Sequence, residues 1–516
     1  MIRPLTLLDI ALATLAVVLL KTIIARSKQR ARYPPGPKGL PVIGNVLQMP
    51  KDREWLTFAQ WGEQFGNIVY LSLLGQPMII LNSAKDAVAL LDKRSSIYSD
   101  RPILYMGGEL IGWKYILGLT PYGDRFREYR RLMAKFIGGK TQVERHFPVM
   151  EQEATSFLKR ILRRPDDLGA NIRTHAGAII LKLAYGYTIR EDEDPFVTLA
   201  DRAMAQFTEA TTPGAFLVDV FPLLRHMPAW FPGASFKRTA QEWSDTLNSM
   251  ADVPHAFVKE QMAKDTEVPS FTSELLRDEK LQEGQEFNIK WSAASLYAGG
   301  ADTTVSSIHT FFLTMLLFPH VQKRAQAEID SVVGTDRLPT FEDRAKLPYV
   351  EGVLKEVLRW HPIGPLGAFL VLFFSLGLPH RLAQDDSYEG HLFPKGAIVI
   401  ANIWKCLHDP DVYPNPSDFD PTRHLSENGR SPQPDPRDYC FGFGRRSYPG
   451  LHLADTSIWI TCATVLAAFN IENVVENGRV IDIVPEYTSG TISHPKPFRC
   501  SIKPRSTRAE ALIFSD

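Results

Sequence analysis

The sequence predicts a mainly α-helical fold with small β-sheets, and three observations predict it. The longest apolar stretch, Phe287 to Pro319, reads as one helix through a core. Strand signals are short, the clearest being the alternation in Ile68 to Ile80, interrupted by Gly75 and Pro77. Hydrophobic residues make up 44% of the 516 and charged residues 22%, which suits a large globular chain and excludes a disordered one. Lysine plus arginine equals aspartate plus glutamate at 58 each, so no basic footprint points to nucleic acid. The four cysteines, Cys406, Cys440, Cys462 and Cys500, form no CxxC pair and no zinc spacing. Scattered thiols suit a reducing compartment.

Residues 1–30 read as a membrane anchor with a basic flank. Leu5 to Ile24 is apolar apart from Asp9, Lys21 and three threonines. Such a helix is long enough to span a bilayer core. Arg26, Lys28, Arg30 and Arg32 follow, which keeps that side cytosolic. A signal peptide is the competing reading, but no small-residue cleavage site closes the run. The body is then residues 31–516. It opens on PPGPKGLPVIGN, Pro34 to Asn45, where prolines and glycines forbid a helix and make a stiff hinge.

Pro121 to Phe136 is amphipathic and basic, with Phe126, Arg130 and Met133 at helical spacing. Thr212 to Gly233 is rich in proline and bulky apolar groups, too apolar for a solvated loop. It either folds onto the core or dips into a membrane. In the Phe287–Pro319 stretch, Asn288 is the expected N-cap and Gly299–Gly300 is the expected interruption. Thr303 lies four residues beyond Gly299 and can bond its carbonyl. Asp302 precedes it, and the plain alternative is a packing kink with capped hydroxyls.

Leu347 to Pro362 carries Glu356 and Arg359 at i,i+3, on one helical face. FDPTRH, Phe419 to His424, follows with Arg423. Near the end, FGFGRRSYPG, Phe441 to Gly450, combines glycines for tight turning with Arg445 and Arg446. Pro449 suits the start of the helix that follows.

Taken in order, these motifs resemble the cytochromes P450. The distal helix, ExxR, PxRx and haem loop all fall in sequence, and the likeness covers residues 31–516. Phrases such as RLAQDD and ANIWKCLHDP resemble fungal membrane-bound members of the O-methylsterigmatocystin oxidoreductase kind. In the haem-loop pattern Phe-x-x-Gly-x-Arg-x-Cys-x-Gly, Phe441, Gly444, Arg446 and Gly450 match, and Tyr448 stands where the axial cysteine belongs. Cys440 lies eight residues away and cannot simply substitute. Phe126 replaces the family's tryptophan, and Thr422 and His424 depart from Pro-Glu-Arg-Phe.

The resemblance implies a P450 fold with an N-terminal transmembrane helix. It implies a single-pass protein of the endoplasmic reticulum membrane with a cytosolic catalytic domain. The implied cofactor is haem, iron protoporphyrin IX. Arg130, His380 and Arg446 would hold its propionates, Phe441 and Gly450 would shape its loop, and Asp302 and Thr303 would deliver protons. The metal position is Tyr448. Implied partners are NADPH-cytochrome P450 reductase, a lipophilic small molecule (polyketide, terpenoid or polycyclic aromatic) and the membrane, with no nucleic acid. A thiolate would favour O–O cleavage for monooxygenation. A tyrosinate is a harder donor, so an impaired or inactive haem- or lipid-binding protein of this fold is the alternative. A second departure is AFLVLFFSLG, Ala368 to Gly377, which intervenes between HPIGPLG and LPHRLAQDD. It reads as an atypical insert, retained from an intron or an erroneous gene model.

Overall fold

At Leu74 and Gly75 the backbone turns with both residues at positive φ, 49° and 86°. A two-residue turn of that kind matches the twist of the strands it joins. The computed structural model describes residues 32–514 other than 192, 213–214, 279–280, 367–368, 372–373, 378, 428 and 490–491. The turn joins β1 (Ile68–Leu73) to β2 (Gln76–Leu81) as the alternation predicts. Pro77 sits opposite Ser72, and it is tolerated because the other neighbour of β2 begins pairing only at Met78.

The segment Ala368–Gly377 contributes β3 (Phe369–Val371) and β4 (Phe374–Gly377). They pair with one another as a separate two-stranded sheet, so the insert supplies its own backbone partner. Next come β5 (His380–Arg381), β6 (Asp386–Tyr388), β7 (His391–Phe393) and β8 (Ile398–Ala401). The main sheet runs β1-β2-β8-β5, with β8 parallel to β2 and antiparallel to β5. This pairing sets His380 opposite Val399.

Helices form the bulk. The central one is Gln285–Leu317, 33 residues long. It starts earlier than expected, with Gly284 at φ 81° as N-cap, so Asn288 lies inside the first turn and caps nothing. It also stays helical through Gly299–Gly300, where an interruption was expected. The glycines serve close packing instead. A Cβ on Gly300 would stand 2.7 Å from Cδ1 of Ile180, on the adjacent helix Leu168–Tyr185. After Phe318 the chain bends by 105° into helix Pro319–Val332.

Helix Pro348–Trp360 falls inside the stretch predicted for it, and helix Asp124–Ile137 runs one residue past the end of its own. Among the described residues one unbroken helix, Leu451–Ala468, is long and apolar enough to cross a membrane. It is 83% buried and is a core helix. The predicted anchor, Leu5 to Ile24 with its basic flank, lies outside the described residues. The Thr212–Gly233 stretch holds a short helix, Leu217–Val220, and a 3₁₀ turn, Pro222–His226. Leu223 and Trp230 are 83% and 80% exposed. Asp219 accepts hydrogen bonds from the amides of Tyr105 and Met106 at 2.8 and 2.9 Å, which ties this stretch to the 105–111 turn.

Candidate functional site

The loop Phe441–Gly450 is built by short backbone bonds. Ser447 N donates to Gly444 O at 3.1 Å, and Tyr448 N to Phe441 O at 2.9 Å. Gly444 is at φ 53°, and a Cβ there would strike Leu91 O at 2.4 Å, so only glycine lets the loop seat against residues 88–95. Gly450 then caps helix Leu451–Ala468. Cys440 ends a short helix, Arg437–Cys440, and packs with the sheet-side core around Leu407 and Tyr413. Tyr448 packs with the helical core instead, so the two positions face different clusters.

One edge of the site is cationic. Arg446 donates to the carbonyls of Ser99 (2.7 Å), Thr120 (2.8 Å) and Leu117 (3.3 Å). Its guanidinium lies 4.0 Å above the Phe126 ring, so the phenylalanine that replaces tryptophan offers a face instead of a donor. Arg130 donates to Ser447 O. Arg101 donates to the carbonyls of Gly118 and Pro379. His380 Nδ1 contacts Tyr98 O at 2.7 Å. Burial, then the neighbouring Arg101 and Arg130, lower Arg446 to about 8. Burial lowers Arg101 to about 9. Burial, then Arg101, lowers His380 to about 3. Among the described residues the hydrogen-bond partners of Arg130 and Arg446 are backbone carbonyls and not carboxylates, and the buried Ser99 Oγ has no hydrogen-bond partner. This is a donor set shaped for an anion.

The opposite wall is the central helix. Thr303 Oγ1 donates to Gly299 O at 2.8 Å, the bond its spacing predicts. Asp302 Oδ1 lies 3.3 Å from His494 Nε2 on a C-terminal loop. The pair lines a cavity of about 410 Å³ with Arg173, Asp201 and Tyr297. Between wall and loop stands Tyr448. A Cβ on Gly299 would be 3.2 Å from its Cε2 and 3.4 Å from its hydroxyl oxygen. A Cβ on Gly450 would be 2.8 Å from Cε1 and 3.1 Å from the hydroxyl. Phe441 stacks beside it at 6.5 Å between centroids. Burial pushes the phenol above its ordinary pKa.

Arg130 joins the loop of Phe441, Tyr448 and Gly450 through Ser447, Arg446 and His380 lie along the same edge, and Thr303 is linked to Tyr448 through Gly299, while Asp302 lies beside His494. Arg101, Ser99 and His494 were missed. They sit in irregular backbone, where no periodicity marks them.

The chain belongs to the cytochrome P450 family: the Cytochrome P450 model matches residues 34–501. It is 51% identical over 515 residues to cytochrome P450 monooxygenase 208 of Postia placenta, covering 99% of this chain and 98% of that one. It is 48% identical to the monooxygenase claR of Ampulloclitocybe clavipes, over 98% and 92% of the two chains. Tryptamine 4-monooxygenase of Psilocybe cyanescens is 41% identical over 93% and 95%. The family's role is haem-dependent oxidation, and these relatives are fungal monooxygenases.

Haem fits the site only in part. Its two carboxylates suit the cationic edge. Its ring does not suit the gap beside it, because a flat conjugated ring needs about 3.5 Å of clearance on each face. The Tyr448 ring stands in that space.

Proposed function

We propose that the protein is a membrane-anchored haem monooxygenase of lipophilic substrates, drawing on O2 and on electrons from NADPH-cytochrome P450 reductase. The observation that carries this reading is the cationic edge, where Arg101, Arg130, Arg446 and His380 converge beside Ser99. Arg130, Arg446 and His380 would hold the haem carboxylates, and the haem would supply oxygen activation. Asp302, 3.3 Å from His494, and Thr303, whose hydroxyl bonds Gly299 O, would serve proton delivery.

The exposed Leu217, Phe221, Leu223, Trp230 and Phe231 suit an entrance dipped into a bilayer. A cavity of about 290 Å³ lies beneath, lined by Ile103, Tyr105, Asp219 and Pro222. The anchor at Leu5 to Ile24 would hold residues 31–516 on the cytosolic face of the endoplasmic reticulum, with residues 34–45 as hinge. Two resemblances pull the substrate toward aromatic rings, that to O-methylsterigmatocystin oxidoreductase and that to tryptamine 4-monooxygenase. The remaining substrate classes are other polyketides and terpenoids.

A second reading is favoured by Tyr448, namely an impaired haem- or lipid-binding protein of the same fold. One experiment separates the two. The reduced, carbon monoxide-treated protein is compared with its Tyr448→Cys variant, each with and without residues 368–377, and reductase-supported product is measured in parallel. The Tyr448→Cys chain is expected to gain the thiolate-type band and product formation, and the parent to lack both. A thiolate-type band from the parent refutes the ligand assignment. Absence of haem from the Tyr448→Cys chain without residues 368–377 favours the binding-protein reading.

A further inference from the structure

Resting on that second reading, we infer that Tyr448 is an internal plug: its ring takes the volume of the haem macrocycle and excludes the cofactor by space, not merely by lacking sulfur. The plug is seated in glycines. On the central-helix side the hydroxyl is 3.4 Å from the Cβ position of Gly299 and 3.7 Å from that of Gly300. On the loop side it is 3.1 Å from that of Gly450. Any side chain at Gly450 would collide with ring carbon Cε1, at 2.8 Å, so the ring uses the room that only glycine leaves.

Standing between the two glycine sites, the ring occupies the slot that a second flat ring would need. Tyr448 is also tied to Phe441, at the start of its own loop. Its amide is tied to Phe441 O at 2.9 Å, and the Phe441 ring lies nearly parallel to it, at 13°. Removing the plug means displacing a partly buried aromatic ring from between the loop and the central helix, a step that opposes haem entry even though the cationic edge remains ready for its carboxylates.

Ring volume and ligand identity are separable by substitution. Apoproteins of the full chain, the parent and its Tyr448→Phe, Tyr448→Gly and Tyr448→Cys variants, are titrated with hemin. The readouts are Soret absorbance and quenching of tryptophan fluorescence. Tyr448→Phe keeps the volume and removes the phenol oxygen; Tyr448→Gly removes both. The expected order is parent and Tyr448→Phe weak, Tyr448→Gly and Tyr448→Cys tighter by about tenfold or more. Added imidazole is expected to shift the Soret band of the Tyr448→Gly complex, because the space above the iron on the loop side is then open.

Hemin binding by the parent as tight as by Tyr448→Gly overturns the plug, as does tight binding by Tyr448→Phe. Tight binding by Tyr448→Cys with none by a folded Tyr448→Gly also overturns it, since the ligand and not the volume would then decide. A second measurement needs no haem. Gly299→Ala places a methyl 3.2 Å from Cε2, so it is expected to lower Tm in the parent and to raise it in the Tyr448→Gly background. Equal shifts in both backgrounds show that the ring does not pack there. The plug and the reading beneath it fail differently. A parent that binds haem fully but forms no product fails the plug alone, and a parent that oxidises substrate fails both.

Discussion

Glu356 is a carboxylate with no exposed surface, and its neighbours explain two departures from the family pattern. Arg359 grips it with two bonds of 2.8 Å, and Arg423 reaches Oε1 at 3.3 Å. His424, which stands where the family has phenylalanine, contacts Oε2 at 3.1 Å. An ionised carboxylate only accepts, so Nε2 of His424 carries the proton it donates. Burial alone would raise the acid's pKa. The His424 bond and the Arg359 pair outweigh it and hold it at about 2. Thr422, the other departure, bonds Asp420 with both its amide and its hydroxyl and so stiffens the turn. His424→Phe is therefore expected to cost about 1–3 kcal/mol in urea unfolding, the penalty for a buried acceptor left short. Arg423→Ala is expected to cost more, about 3–5 kcal/mol, because a charge loses its partner. A neutral His424→Phe would show that the histidine merely fills space. Spacing marked Arg359 in the sequence, and the family resemblance marked Arg423. Spacing could not mark His424, nor Arg101 in the haem-side cluster, because neither lies on a periodic element and each acts through contacts made only by folding.

At the scale of elements, the ExxR helix and the Pro421–His424 turn are set by one small residue. Gly352 is buried in helix Pro348–Trp360, and a Cβ on it would stand 2.8 Å from Pro421 O. That contact is with backbone, which cannot rotate away. Glycine to alanine inside a helix ordinarily gains about 1 kcal/mol. Here overpacking is expected to win, with Gly352→Ala losing about 1–3 kcal/mol and loosening the Arg423–Glu356 pair. Calorimetry reads the sign, and a raised Tm would mean that the turn yields freely. Helical periodicity made Pro348–Trp360 and Asp124–Ile137 legible, and the alternation with its Leu74–Gly75 turn made the hairpin legible. The start of the central helix was not, because an αL glycine at 284 ends the preceding turn before Asn288 is reached. Nor was the role of Gly299–Gly300. A glycine pair in a helix reads as weakness, yet Ile180 on one side and Tyr448 on the other make it a contact surface.

Across the whole molecule, burial keeps a set of histidines neutral. His146 and His309 are lowered to about 4, and His175, His361, His380 and His408 to about 3. In each, desolvation is the largest cause, and in all but His361 a nearby arginine adds to it. Unfolded, each titrates near 6.5. Between about pH 6.5 and the lowered value the unfolded chain holds protons that the folded chain does not, so stability falls as pH falls. The slope is about 1.4 kcal/mol per pH unit for each histidine fully in that window. Glu356 adds its own loss lower down, from about pH 4 toward about 2, where protonation ends its pairing. With 58 cations against 58 anions the chain is near neutral at pH 7, so self-repulsion does not drive the early part of this fall. Denaturant midpoints are therefore expected to drop steadily from about pH 7 to about pH 5, before carboxylates titrate. His175 is the cleanest probe, since it is fully buried, stacked on Phe157, and bonded through Nε2 to Thr461 at 2.8 Å. His175→Gln keeps a polar group for Thr461 but cannot titrate. It is expected to be less stable than the parent at about pH 7.5 and to lose about 1.4 kcal/mol per pH unit less than the parent below about pH 6. Parallel pH profiles for the two proteins would mean that His175 is protonated in the folded state and that its burial does not hold it neutral.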